Sequence, residues 1–105
     1  SPGDRLTARA LSRSLARLLT AAREALPVNE ILAAERARLL ATPGLTLEYL
    51  EVVGVDDLAP VASFGADQVA LVAARVGAAR LIDNALMDPT GPDFGLLAYL
   101  EETDS

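Results

Sequence analysis

Along the first quarter of the chain, apolar residues recur at three- and four-residue steps. Leu11, Leu15, Leu18, Ala22 and Leu26 fall on one stripe of a helix. Arg5, Arg9, Arg13 and Arg17 are spaced by four and line up on roughly the opposite face. The pattern predicts a helix over about 2–25. Ser1 suits its N-cap, Pro2 its first helical position, and Asp4 reaches back toward the free amides. Pro27 and Asn29 punctuate, and a second helical pattern runs from Asn29 to about Ala41. Its apolar residues are Ile31, Leu32, Leu39 and Leu40, with Glu35 interrupting them. Thr42-Pro43-Gly44 stops it, because the residue before proline avoids the helical region and Gly suits the exit.

After that stop the period changes to two. Leu45, Leu47 and Tyr49 alternate with Thr46 and Glu48, as in a half-buried strand ending near Val53. Gly54 to Pro60 reads as a connection in which Asp56 caps a short helical turn around Leu58. Ala62 to Asp67 reads as a loop, Val69 to Val76 as a second strand and Arg80 to Met87 as a third. Gly77-Ala78-Ala79 makes the hairpin connection, with Gly77 supplying a positive φ if one is needed. The tail from Asp88 is rich in Asp, Pro and Gly, while Phe94, Leu96, Leu97 and Leu100 suit one or two amphipathic helical turns. The predicted fold is therefore α+β: two N-terminal helices packed on a small three-stranded antiparallel sheet.

The second strand carries a further expectation. Val69, Leu71 and Ala73 point one way, and Ala70, Val72, Ala74 and Val76 the other. A strand apolar on both faces expects cover on both. The helices supply one cover; the tail, a partner chain or another domain must supply the other.

Composition narrows the chemistry. The chain has 105 residues, enough for one domain, and 51% of them are hydrophobic, dominated by 20 Ala and 19 Leu. It contains no His, Cys or Lys. A Ser-His-Asp triad, a Cys nucleophile, disulfides, a His/Cys zinc site, a Gly-Lys-Ser/Thr phosphate loop and a Schiff-base lysine are all excluded. The net charge of −6 argues against nucleic-acid binding, although residues 1–40 carry +3 and residues 41–105 carry −9. No apolar run approaches the length of a bilayer span, and no signal-peptide pattern opens the chain, so a cytoplasmic protein is expected. Arg used to the exclusion of Lys, with abundant Ala, suggests a high-GC bacterial source.

Several motifs then appear in order: Leu47-Glu48-Tyr49-Leu50-Glu51-Val52; Asp56, Leu58 and Pro60; Ala73-Ala74-Arg75-Val76-Gly77; and Arg80-Leu81-Ile82-Asp83-Asn84. Together they resemble the C-terminal domain of the pantothenate synthetase (pantoate–β-alanine ligase) family over about residues 1–87. Ser1-Pro2, Arg5 and Leu11-Ser12 resemble the segment that opens that domain. Ala79 stands where the family often has Thr, Glu48 stands where Asp is common, and residues 88–105 run past the usual end. The resemblance implies an ATP-dependent ligase that condenses pantoate and β-alanine through a pantoyl-adenylate, with Mg²⁺. It further implies that the nucleotide site and its His-x-Gly-His motif lie on an N-terminal Rossmann-like domain. No catalytic residue then falls in this chain, which acts as a lid and is inactive alone.

Site candidates remain few. Arg75 and Arg80 flank the hairpin turn and are the candidate substrate-binding residues, one of them reaching substrate phosphate on closure. The plainer reading pairs them with Glu48, Glu51 or Asp83. With Gly77–Ala79 as the loop, the two arginines lie on opposite faces; a two-residue loop sets them directly opposite each other, which is unfavourable without an anion. The Arg5/Arg9/Arg13/Arg17 stripe reads as a solvated face or as a site for an acidic partner. Asp83-Asn84 reads as local backbone bonding or a metal ligand, and Asp56-Asp57 as capping. The competing functional reading is a freestanding interaction module that forms homo-oligomers through the apolar sheet face; an autonomous acid–base enzyme comes last.

Overall fold

A computed structural model describes residues 2–87. Two helices, α1 (Pro2–Arg23) and α2 (Val28–Leu40), precede three strands, β1 (Leu45–Gly54), β2 (Gln68–Val76) and β3 (Ala79–Leu86). The strands form one antiparallel sheet in the order β1-β2-β3. Ser1 and the tail, with its predicted helical turns at Phe94–Leu100, lie outside the described residues.

The helices lie on one face of the sheet, where Leu11, Leu15, Leu18, Leu19, Val28, Leu32 and Leu39 meet Leu45, Leu50, Val52, Ala70, Val72, Ala74 and Val76. The predicted α1 stripe is buried as far as Ala22, but Leu26 is 38% exposed. The helix stops at Arg23 because Ala25 turns into the left-handed region at φ 55. Leu26 N then bonds Ala21 O at 3.0 Å and Ala25 N bonds Ala22 O at 3.2 Å, the paired closure of a Schellman motif. In α2 the buried positions are Val28, Leu32, Glu35 and Leu39, so Leu40, expected inside, is exposed instead.

Three loop and register expectations are corrected. First, the hairpin loop has two residues: Val76 pairs with Ala79 and Arg75 with Arg80. Gly77 alone in the turn takes a positive φ, 60°, the pattern of a type II′ turn whose twist suits a hairpin. Second, the alternation of β1 breaks. Leu47 pairs with Ala74 and Tyr49 with Ala73, leaving Glu48 as an extra residue in a β-bulge. Tyr49, expected inward, is consequently half-exposed on the outer face, and Leu50 turns into the core. Third, the short turn near Leu58 forms, closed by one helical bond from Leu58 N to Gly54 O at 2.9 Å and ended by Leu58 at φ 56, but Asp56 does not cap it. The bonding acid is Asp57, whose Oδ1 accepts from Ala59 N at 3.0 Å. The long β1–β2 connection is held by buried Gln68, which donates to Ser63 O at 2.8 Å and accepts from Gly65 N at 3.0 Å.

Candidate functional site

The outer face of the sheet is the surface the helices leave open. Register places Tyr49, Glu51 and Val53 of β1 beside Ala73, Leu71 and Val69 of β2, and these beside Ile82, Asn84 and Leu86 of β3. Ile82 is 59% and Leu86 51% exposed, whereas Val53 and Ala73 are buried. The second face of β2 is thus apolar as the sequence suggests, and its neighbours on β3 stand in the open.

At the hairpin end of this face the two-residue loop sets Arg75 and Arg80 directly across from each other. Like charges so placed repel. Glu48 answers both: its Oε1 accepts from Arg80 Nε at 2.6 Å, and its Oε2 lies 3.3 Å from Arg75 Nε. The hydrogen bond to Glu48, followed by its charge, raises the Arg80 pKa above the ordinary guanidinium value. Both side chains stay accessible, at 60% for Arg75 and 45% for Arg80. Of the three acids expected as structural partners, Glu48 is the one that pairs with them.

Glu51 is taken up by Arg36 of α2, whose Nη2 lies 3.2 Å from Glu51 Oε1 and also donates to Leu50 O at 2.7 Å. Arg36 thereby satisfies a carbonyl on edge strand β1 and pins α2 to it. Asp83 accepts from Asn84 N at 2.8 Å, the local backbone bond expected of it, and Ser12 Oγ lies 3.5 Å from its Oδ2. Among the described residues no three acidic, His or Cys side chains gather where they could hold a metal ion.

The arginine stripe of α1 is divided. Arg17 turns to α2 and gives Nε to Glu35 Oε1 at 2.8 Å and Oε2 at 2.9 Å. Ser14 Oγ donates to the same carboxylate at 2.9 Å, and Arg38 approaches it at 3.4 Å. Arg5 and Arg9 are exposed, while Nε of Arg13 is buried with no hydrogen-bond partner. This buried lock around Glu35, only 4% exposed, escapes the sequence pattern. The one available signal was an acid on an apolar stripe facing a helix that carries Ser and Arg three residues apart.

The fold and its open face define an α+β domain with the sheet half-covered by its own helices. A family model described as pantoate-beta-alanine ligase matches residues 1–86. "Pantothenate synthetase 4" of Frankia alni is 48% identical over 88 residues, covering 83% of this chain and 28% of that protein. "Pantothenate synthetase" of Chelativorans sp. is 40% identical over 84 residues, covering 80% of this chain and 30% of its own length. The crystal structure of pantothenate synthetase from Thermus thermophilus superposes with a TM-score of 0.77 at 35% identity, covering 85% of this chain and 32% of that one. The chain belongs to the pantoate–β-alanine ligase family. It spans about a third or less of the length of these relatives.

Proposed function

We propose that residues 1–87 are the C-terminal lid domain of a pantoate–β-alanine ligase, and that residues 88–105 are a tail outside it. In this reading the chain contributes cover rather than catalysis. ATP, Mg²⁺ and the catalytic groups belong to an N-terminal Rossmann-like domain, and a cytoplasmic setting follows from that biosynthetic role. The observation that carries the reading is the outer sheet face, where Ile82 and Leu86 stand open at 59% and 51% on a domain whose other face packs against its helices. A reactive acyl-adenylate needs water kept away from it, and an apolar surface that closes over the site does this. Arg75 and Arg80, at one end of that surface, are then placed to meet a phosphate as the lid closes.

Calorimetry with ATP and pantoate tests the proposal on the chain itself. The expected result is no tight binding of either ligand and no pantothenate formed from pantoate, β-alanine and ATP. Tight ATP binding by the isolated chain would overturn it. Reading the gene upstream of the Ser1 codon gives a second check, with a His-x-Gly-His motif expected within roughly one further domain's length. A stop codon and a start site directly before Ser1 would count against it.

A further inference from the structure

We propose that Glu48 is the positioning residue of a phosphate-binding arginine pair, an inference that rests on the reading of Arg75 and Arg80 as ligand-binding residues. The two-residue turn fixes the arginines as direct cross-strand neighbours, an arrangement that costs the sheet stability through like-charge repulsion. A single carboxylate spans them, bonding one Nε at 2.6 Å and lying 3.3 Å from the other. The three groups together keep one net positive charge, on side chains that remain 60% and 45% exposed.

The backbone is shaped for this contact. The bulge in β1 sets both Glu48 and Tyr49 against a single residue of β2, Ala73. The small Ala73 methyl leaves the outer face low between the two edge strands. Arg80 can therefore reach over β2 from β3 to an acid on β1. Bulges commonly re-aim side chains beside functional sites. Both arginines meet Glu48 through Nε, the inner nitrogen of the guanidinium fork. The outer edge of a fork held in this way matches the paired oxygens of a phosphate. Two long side chains are thus ordered before any ligand arrives, and the entropy of ordering them is not charged to binding.

The test turns on a sign. Replacing Glu48 with a neutral residue makes the arginine pair more positive, so plain electrostatics predicts tighter phosphate binding. Loss of positioning predicts weaker binding. Arginine Nε–Hε signals of the full chain are followed by NMR during titration with inorganic phosphate at constant ionic strength. The Arg75 and Arg80 signals are expected to move together in the unaltered chain. Glu48→Gln and Glu48→Ala should each weaken phosphate binding by roughly three- to tenfold, the cost of ordering a long side chain. The backbone amides of Leu50 and Val72 report that the sheet is intact in both variants. Unchanged or tighter binding in the variants would overturn the positioning role while leaving the arginines as ligand-binding residues. No phosphate response at either arginine in the unaltered chain would overturn that underlying reading, and this inference with it.

Discussion

Ala25 occupies a conformation that suits glycine. Its φ of 55 closes α1, and a side chain in the left-handed region costs roughly 1 kcal/mol that Gly avoids. Ala25→Gly should therefore stabilise the domain by about 0.5–1 kcal/mol, part of the gain being offset by the greater freedom of Gly in the unfolded chain. A rise in the chemical-denaturation midpoint without a change in slope checks this. Glu35 works in the other direction. Its carboxylate is buried among Ser14, Arg17 and Arg38, so Glu35→Ala removes several charge-assisted hydrogen bonds at once. The Arg17 side chain is 28% exposed and can be partly rehydrated, which limits the loss to about 2–3 kcal/mol. Glu35→Leu should cost less than Glu35→Ala, because it refills the space on an apolar stripe. A Leu variant as unstable as the Ala variant would show that the charge, and not the volume, dominates.

At the scale of elements, the β2–β3 hairpin depends on one torsion. Gly77 holds φ 60 at the first central position of the turn, so Gly77→Val should cost about 1–2 kcal/mol in the same denaturation experiment. An unchanged midpoint would mean the turn relaxes to another form. The same turn shows what the sequence could and could not disclose. The two helices and three strands were legible because apolar residues recur at helical steps before Gly44 and at strand steps after it. The turn length was not, because Gly77-Ala78-Ala79 reads equally well as a loop of three or as a loop of two followed by a strand residue. Moving that boundary by one residue brings Arg80 to the face of Arg75. The bulge was hidden for a similar reason, since Leu47-Glu48-Tyr49 looks like ordinary alternation until Leu50, Val52 and their partners demand the core. Arg75 and Arg80 were therefore readable as candidates from their place beside the turn. Their shared carboxylate depended on backbone geometry that no periodicity records. The Glu35 lock was hard to read because its hydrogen-bonding partners Ser14 and Arg17 sit on another helix, 21 and 18 residues away in sequence.

At the scale of the whole molecule, the two sheet faces should respond oppositely to the same chemical insult. Val72 is fully buried beneath the helices, so Val72→Lys strands a charge in the core and should unfold the domain. Ile82→Lys/Leu86→Lys places two charges on side chains already 59% and 51% exposed, and should leave its unfolding midpoint nearly unchanged. If the outer face closes over a reactive acyl-adenylate, the double variant has a chemical signature in the complete ligase. Lysines there would keep water at the closing surface, so some adenylate would hydrolyse before β-alanine attacks it. AMP released per pantothenate formed should then rise above one, while the folded fraction by circular dichroism stays at the unaltered level. A freestanding module that pairs through this face predicts something else: light scattering would show the unaltered chain associating and the double variant monomeric, with no change in the product ratio of any enzyme. A ratio held at one in a folded double variant would therefore remove the water-excluding role from this face, because two charges on the most exposed apolar positions of a sealing surface cannot leave the seal intact.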